Sequence, residues 1–513
     1  MRGESPRMET DRRPDSPRSA VERQGRRASR GHATVGVKAA AERSIAGVPA
    51  RIMRPRLVFL VCLAALVGFG LLMVYSASSV EAANNYGSST YFAGRQFAFA
   101  FAGVIGMLVI AFVIPDTWFE ERPLWAFMGL MVVLLLAVKF VGRGSRGATR
   151  WLNLGFMQFQ PSEFLKLFLI PLVAKLFDEL YSRRVPDTRT FLIKMTIAVL
   201  PPLLLILIQP DFGTVLILVV TLTAMAMFSG IKRSTVIMLL VGIAALCGLA
   251  ALLEPYRVMR MLIATNPWAD EFGDGYQATL AIMAFASGGL FGRGIGNSTM
   301  KYSYLPEAHN DYILAIIGEE CGFLGTLIFL LVFALLIWSA FRIAEQATSR
   351  RGALIASGSA VVLAVQFFIN ALGILNIIGM TGKPLPFISY GGSSMIVSLC
   401  LAGLILRTSI ESARRDEYDR RRESFAVVDE STAGTPHVRG GGASRAGFTV
   451  LAGTADAATS RGTDPTRPAP SRPTPRTRGG SGSYDRIDLN ADPTARLRTD
   501  GSGPHVRRDY HDR

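Results

Sequence analysis

The feature of this chain that most limits its fold is a series of long apolar runs between residues 57 and 407. One of them, from Cys321 to Trp338, reads CGFLGTLIFLLVFALLIW. A helix needs about 20 apolar residues to cross the hydrocarbon of a bilayer. These runs are apolar on every side, where a soluble core would alternate apolar and polar faces. In lipid only helices and closed barrels satisfy their backbone groups, and unbroken runs of this length exclude the alternating strands of a barrel. The chain is therefore read as an all-α polytopic membrane protein with about ten spans: 57–78, 96–114, 123–141, 161–178, 191–208, 213–229, 235–253, 311–342, 353–377 and 391–408.

The flanks have a different composition. Residues 1–56 hold fourteen Lys or Arg against six Asp or Glu. The segment 408–513 contains stretches such as PTRPAPSRPTPRTRGGSGS. Such compositions cannot bury a core, so both are expected to be disordered tails around a 57–407 membrane domain. Their basic charge fits acidic lipid or acidic protein partners. No interleaved aromatics or folded motif points to nucleic acid. The four cysteines (Cys62, Cys247, Cys321, Cys400) form no CxxC or Cys/His pattern and read as small apolar packing residues. The first apolar run is too long for the core of a cleavable signal peptide.

Ten spans place both termini on one side. Arg51, Arg54, Arg56, Lys175, Arg183, Arg184, Arg189, Lys232, Arg233, Arg342, Arg350, Arg351, Arg407, Arg414 and Arg415 then share that side, which is expected to be cytoplasmic. The large 254–310 loop falls outside. Lys139, Arg143, Arg146, Arg150, Arg257, Arg260, Arg293, Lys301 and Lys383 fall outside too, against the insertion bias. They serve either loop solvation and lipid headgroups or an anionic ligand at the outer face.

Four segments interrupt the apolar pattern, and an ionisable group at mid-bilayer costs at least about 2.5–3.5 kcal/mol. In GATRWLNLGFMQFQPSEFLKL (147–167), Pro161 suits a first helical turn, and Glu163 and Lys166 lie three apart on one face. That pair is either a packing device or part of a site. Trp151 beside Arg150 is either an interfacial belt residue or a platform for a sugar next to a phosphate. In QPDFGT (209–214), Asp211 reads as the N-cap of the sixth span.

The outer loop carries GDGYQ and then SGGLFGRGIGNSTMKYSYLPEAHNDY (287–312). No strand precedes its glycines, so a dinucleotide fingerprint is rejected. Asn310 or Asp311 is placed to cap the eighth span, but a cap explains only one carboxylate of the Glu307, His309, Asn310, Asp311 cluster. Glu319 and Glu320 follow about 12 Å deeper along that helix. In TGKPLPFISYGGSS (381–394), Lys383, Ser389, Tyr390, Ser393 and Ser394 offer donors to an anion on a broken segment, which is tolerated at membrane depth where it lines a cavity.

Together GATRWLNLGFMQFQPSEFLK, QPDFGT, GRGIGNSTMKYSYLPEAHNDYILAIIGEE and TGKPLPFISYGGSS resemble the SEDS family, the FtsW/RodA/SpoVE cell-wall proteins, over about 57–407, with GNSTMK before YLPEAH closer to the FtsW branch. The resemblance implies a ten-helix peptidoglycan glycosyltransferase that polymerises lipid II at the outer membrane face and releases undecaprenyl pyrophosphate. It implies a class B penicillin-binding protein as partner and work at the division septum. The essential aspartate of the family's LPExHTDF motif matches Asp311, with Asn310 and Tyr312 replacing Thr and Phe; the tryptophan of its GxxRW motif matches Trp151. Asp311 is thus the catalytic candidate, and Trp151, Arg150, Glu163, Lys166, Lys301, Glu307, His309, Lys383, Ser389 and Ser393 are candidates for binding substrate. A divalent cation, Mg or Mn, is an open option for the diphosphate, as are divisome proteins for the tails. The rival readings are a lipid II flippase, which intramembrane Glu163 and Lys166 suit, and a scaffold for the partner.

Overall fold

The computed structural model describes residues 44–45 and 48–426, apart from 142, 146–147, 154, 156, 183–187, 235, 239–240, 243–262, 264, 274 and 303. Helices dominate: α1 (Ala50–Tyr86), α2 (Tyr91–Leu108), α3 (Glu121–Val141), α4 (Pro161–Tyr181), α5 (Thr188–Ile208), α6 (Phe212–Phe228), α7 (Tyr276–Gly288), α8 (Ile313–Glu345), α9 (Arg350–Ile374) and α10 (Gly392–Ala426). Two small antiparallel sheets accompany them: β1 (Ser44–Ile45) with β2 (Val48–Pro49), and β3 (Arg143–Ser145), β4 (Ala148–Asn153) and β5 (Gln158–Phe159) in that order.

Among the described residues, α1, α2 with its π-turn, α3, α5, α8, α9 and α10 are long and apolar enough to cross a membrane. The apolar α6 has 17 residues. Charges make α4 the exception: it carries Glu163, Lys166, Lys175, Asp178 and Glu179. It escapes lipid by packing among α3, α5, α6, α9 and α10. The apolar windows of α9 and α10 are 78% and 83% buried, against 22–39% for the other five, so these two form the centre. The rim turns Phe97, Phe101, Val133, Leu192, Ile197 and Leu331 outward, as a hydrocarbon solvent requires. The seventh expected span, 235–253, lies largely outside the described residues, as do most of the two tails.

Several helices run past the edges set by hydropathy, which marks only the part that meets lipid. α1 begins at Ala50 and α10 continues to Ala426, so 50–56 and 408–426, expected to belong to disordered tails, are helical. Arg56 on α1 reaches Ser409 on α10, with Nε 2.9 Å from its Oγ and Nη2 2.7 Å from its carbonyl. The outer loop, read from sequence as glycine-rich connection, contains α7, which at 13 residues is too short to register as a span. The strands of 143–159 are likewise a departure from the all-helical reading; they are too short for an alternation to show.

α8 is not one straight rod. Gly322 sits at φ 67°, ψ −170°, and splits it. The broken backbone groups find partners in the 289–294 loop. Arg293 N donates to Glu319 O and Gly294 N to Glu320 O, both at 3.0 Å, while Phe323 N reaches Gly289 O at 2.9 Å and Leu324 N reaches Leu290 O at 3.1 Å. The two buried glutamates, puzzling by depth, complete this join. Glu319 accepts from Thr299 N (2.9 Å), Thr299 Oγ1 (2.6 Å) and Ser298 Oγ, and Glu320 accepts from Ser76 Oγ of α1 (2.6 Å) and Ser298 N (3.3 Å). A Cβ at position 322 would stand 2.2 Å from Gly292 N, in a backbone region nearly reserved for glycine. Gly322→Ala is therefore expected to destabilise by at least about 1–3 kcal/mol, read as a lower midpoint of thermal unfolding in detergent. An unchanged midpoint would mean that the break is not fixed by this join.

Candidate active site at the Asp311 end of the bundle

Three stretches converge where α8 begins: 307–312, the 375–391 connection between α9 and α10, and the outgoing end of α1. The turn from Glu307 to Tyr312 is closed by Asn310 N on Glu307 O (3.0 Å), with Glu307 itself at φ 57°. Its side chain is exposed and accepts from Asn310 Nδ2. The helix starts at Ile313 with Tyr312 in the cap position and no side-chain capping bond. The expected capping role of Asn310 or Asp311 is thus corrected: both precede the cap, and Asp311 is half-buried.

Asp311 is fixed through its backbone. Asn370 Nδ2 on α9 donates to Asp311 O at 2.9 Å and to Lys383 O at 2.8 Å, tying the two segments together. Gly382, at φ 68°, lies so close that a Cβ there would be 3.3 Å from Asp311 Oδ2. His309 is buried between Phe92 and Tyr390, with ring centroids 4.6 and 5.5 Å away, and its carbonyl accepts from Tyr390 N at 3.0 Å. Its Nδ1 is 3.3 Å from Glu81 Oε2, off hydrogen-bond alignment. Burial pushes the imidazole below its usual pKa; the Glu81 and Glu307 carboxylates oppose this without reversing it.

Behind the aspartate lies a buried charge cluster. Lys383 Nζ is 2.8 and 2.9 Å from the two Asp211 oxygens and 3.7 Å from Glu163 Oε1, and Lys166 Nζ is 2.6 Å from Glu163 Oε2. All four side chains are at most 2% exposed. Two cations and two anions balance, which is what makes such burial tolerable. Asp211 also accepts from Gln160 Nε2 (3.2 Å), Ser162 Oγ (3.3 Å), Thr214 Oγ1 (2.9 Å) and, as the N-cap of α6, Thr214 N (3.3 Å). Burial alone would raise its pKa; Lys383 and Arg150 outweigh that and hold it at about 2. The Glu163–Lys166 pairing follows the sequence reading. Lys383, read as a donor to an external anion, is instead engaged with Asp211 and Glu163, so it anchors its segment.

The remaining sequence candidates divide between anchoring and flanking positions. Ser389 Oγ accepts from Leu385 N (2.8 Å) and shapes the turn before α10. Ser393 Oγ accepts from Gln160 N (3.1 Å) and donates to Gln158 O (2.9 Å), joining α10 to β5. Arg150 on β4 reaches the carbonyls of Gln209 (3.4 Å) and Pro210 (2.6 Å), beside half-buried Trp151. Lys301 is buried with its Nζ on Gly296 O, in the loop that Glu319 holds. Arg143 contributes backbone to β3, and Arg146 lies outside the described residues.

Four contributors escaped the sequence reading: Gln96, Gln366, Asn370 and Glu81. Gln366 and Asn370 are amides four apart in the otherwise apolar stretch 360–374 of α9, a legible signal of a shared polar face. Gln96 donates to Ser389 O at 3.0 Å and accepts from Gly391 N at 3.2 Å. Among the described residues, no group of three or more His, Cys, Asp or Glu is placed to hold a metal ion. Buried polar atoms without a hydrogen-bond partner do gather around the aspartate: Asn310 Oδ1, Asn370 Oδ1 and Thr381 Oγ1. Buried polar atoms are nearly always paired, so such a cluster marks a place where a polar ligand fits.

Comparison with known proteins bears on what this end of the bundle does. Residues 56–414 match the FtsW/RodA/SpoVE family model, described as cell cycle protein. The chain belongs to this family. It is 37% identical over 356 residues to stage V sporulation protein E of Bacillus subtilis, covering 69% of this chain and 97% of that one. It is 38% identical over 351 residues to the probable peptidoglycan glycosyltransferase FtsW of Alcanivorax borkumensis, covering 67% and 90%. A solved peptidoglycan synthase complex, described as coordinating polymerization and crosslinking, superposes with TM-score 0.55 at 26% identity over 69% of this chain and 97% of that one. Thermus thermophilus rod shape determining protein RodA gives TM-score 0.50 at 27% identity, covering 69% and 95%. For this FtsW/RodA/SpoVE member, the region matched includes every segment of the Asp311 site.

Proposed function

We propose that this chain is a peptidoglycan glycosyltransferase that joins lipid II units into glycan strands at the outer face of the cytoplasmic membrane during cell division, with Asp311 as general base. Membership of the family and relatives named as probable peptidoglycan glycosyltransferases support the activity over lipid flipping. The observation that carries the site assignment is the half-buried Asp311 carboxylate at the mouth of a membrane bundle, with unpartnered Asn310, Asn370 and Thr381 atoms around it.

The chemistry follows from the groups present. The 4-hydroxyl of the acceptor GlcNAc gives its proton to Asp311 as its oxygen attacks C1 of the donor MurNAc. The bond from C1 to the diphosphate oxygen breaks, and undecaprenyl pyrophosphate leaves. A positioned carboxylate contributes about 10²–10⁴-fold to such a step. Charge on the leaving diphosphate is met by fixed cations at the same end. Arg150 is the described candidate, with hydrogen bonds to two backbone carbonyls and its charge shared with the Asp211 carboxylate. His309 and Glu307 shape the turn that presents the base, and Trp151 offers a face for a sugar ring.

The finer assignments belong to the same reading. A class B penicillin-binding protein crosslinks the product; the similar synthase complex, described as coupling polymerization with crosslinking, supports such a partner. The basic segments 1–56 and 408–513 flank the 57–407 domain on the cytoplasmic side and recruit acidic division proteins at the septum. The deciding assay supplies lipid II to the purified full chain with candidate transpeptidases and looks for glycan polymer. Polymer establishes the glycosyltransferase. Transfer of labelled lipid II across proteoliposomes without polymer would establish the flippase instead.

A further inference from the structure

α9 carries two amides one turn apart, and both bind the backbone of the 383–384 segment. Gln366 Nε2 donates to Pro384 O (2.9 Å) and Ser394 Oγ (3.2 Å), while its Oε1 accepts from Lys166 Nζ (2.9 Å). Asn370 Nδ2 donates to Lys383 O and Asp311 O. Since both Asn370 partners are carbonyls, only the NH₂ end of the amide can face them, and its orientation is set by the bonds. Its Oδ1 is therefore turned away from both carbonyls, buried and without a partner. The two amides bridge the charge cluster at Lys166 to the backbone of Asp311, through the 383–384 segment that also holds Lys383.

We infer that Asn370 is a positioning residue for the glycosyl transfer: it locks the Asp311 backbone to the 382–384 segment and leaves its Oδ1 to accept a hydrogen bond from a substrate hydroxyl or acetamido N–H. This rests on the reading of Asp311 as the base. A helix buried as fully as α9 has no need of an asparagine for packing, and an apolar residue there would leave two carbonyls short of a donor. Burying an acceptor without a partner is likewise unfavourable unless a ligand completes it. The clamp works on geometry alone, and small misplacements of a catalytic group have large kinetic effects.

The test uses the full chain with its transpeptidase and lipid II, and compares wild type, Asn370→Leu, Asn370→Ser, Asn370→Asp and Asp311→Asn. Asn370→Leu is expected to lower kcat about tenfold or more, because the clamp acts on the base, and to raise KM, because the Oδ1 contact with substrate is lost. Asn370→Ser covers the case in which the leucine variant does not fold, and should show the same two changes. Asn370→Asp puts a carboxylate against the Asp311 and Lys383 carbonyls, with Glu307 and His309 in the same turn as Asp311. A like charge favours the protonated base, so the acid limb of the kcat profile should move up by about one pH unit. Wild-type kcat in the leucine and serine variants would overturn the inference. So would an equal fall at every pH in Asn370→Asp, which is what a merely structural bond would give. Polymerisation retained by Asp311→Asn would instead remove the base assignment, a separate failure.

Discussion

Asp311→Ala should lower lipid II polymerisation by about 10²–10⁴-fold, the range of a positioned general base, while the protein still folds and inserts. The second half of that expectation is specific to this structure. Had Asp311 been the N-cap of α8, its removal would cost about 1 kcal/mol in helix stability, and a lost activity could be blamed on the fold. Tyr312 holds the cap position instead, and the tie from Asn370 goes to the Asp311 carbonyl, which every substitution keeps. The thermal midpoint in detergent should therefore not register the loss of a helix cap, while polymer disappears. Asp311→Asn, similar in shape but unable to take the proton, should be nearly as inactive. Wild-type rates in either variant would remove Asp311 from the chemistry; a collapse of the thermal midpoint alongside the rate would make it a structural residue.

The membrane character of the chain was legible because it depends on summed hydropathy, which needs no knowledge of the fold. Element edges were less so. α1 and α10 extend beyond their apolar stretches, where Arg56 and Ser409 secure them to each other. The Glu163–Lys166 pair could be read from spacing, since three residues on a helix bring side chains together. The partner of Lys383 could not be read: Asp211 is 172 residues away and had a complete local explanation as an N-cap. It is both. The roles of Glu319 and Glu320 were hidden for a related reason. Depth along a helix was visible, but the loop folding back on the Gly322 break was not, because backbone pairing between 289–294 and 319–324 leaves no side-chain pattern.

The dual role of Asp211 sets the largest stability effect. Lys383→Met would leave the Asp211 carboxylate buried with Glu163 and a single lysine, Lys166, in the cluster. Removing one member of a buried pair typically costs about 3–5 kcal/mol, because an uncompensated charge remains. Asp211→Asn should destabilise similarly by leaving Lys383 only the 3.7 Å approach to Glu163. The double variant restores charge balance, and replacing both members of a buried pair is often near neutral. The thermal midpoint should therefore recover largely in Asp211→Asn/Lys383→Met, giving a strongly non-additive double-mutant cycle. Polymerisation should recover far less, since the 382–384 segment beside Asp311 has still lost its anchor. Acid sensitivity follows from the same pair. Asp211 is held at about 2 against an ordinary 3.8, so its stabilisation is complete above the higher value and disappears as pH falls toward the lower. Single variants that melt with wild type, or a double variant as unstable as the sum of its parts, would show that these charges do not hold the segment. A double variant that regains full activity would separate the charge cluster from the base it stands behind.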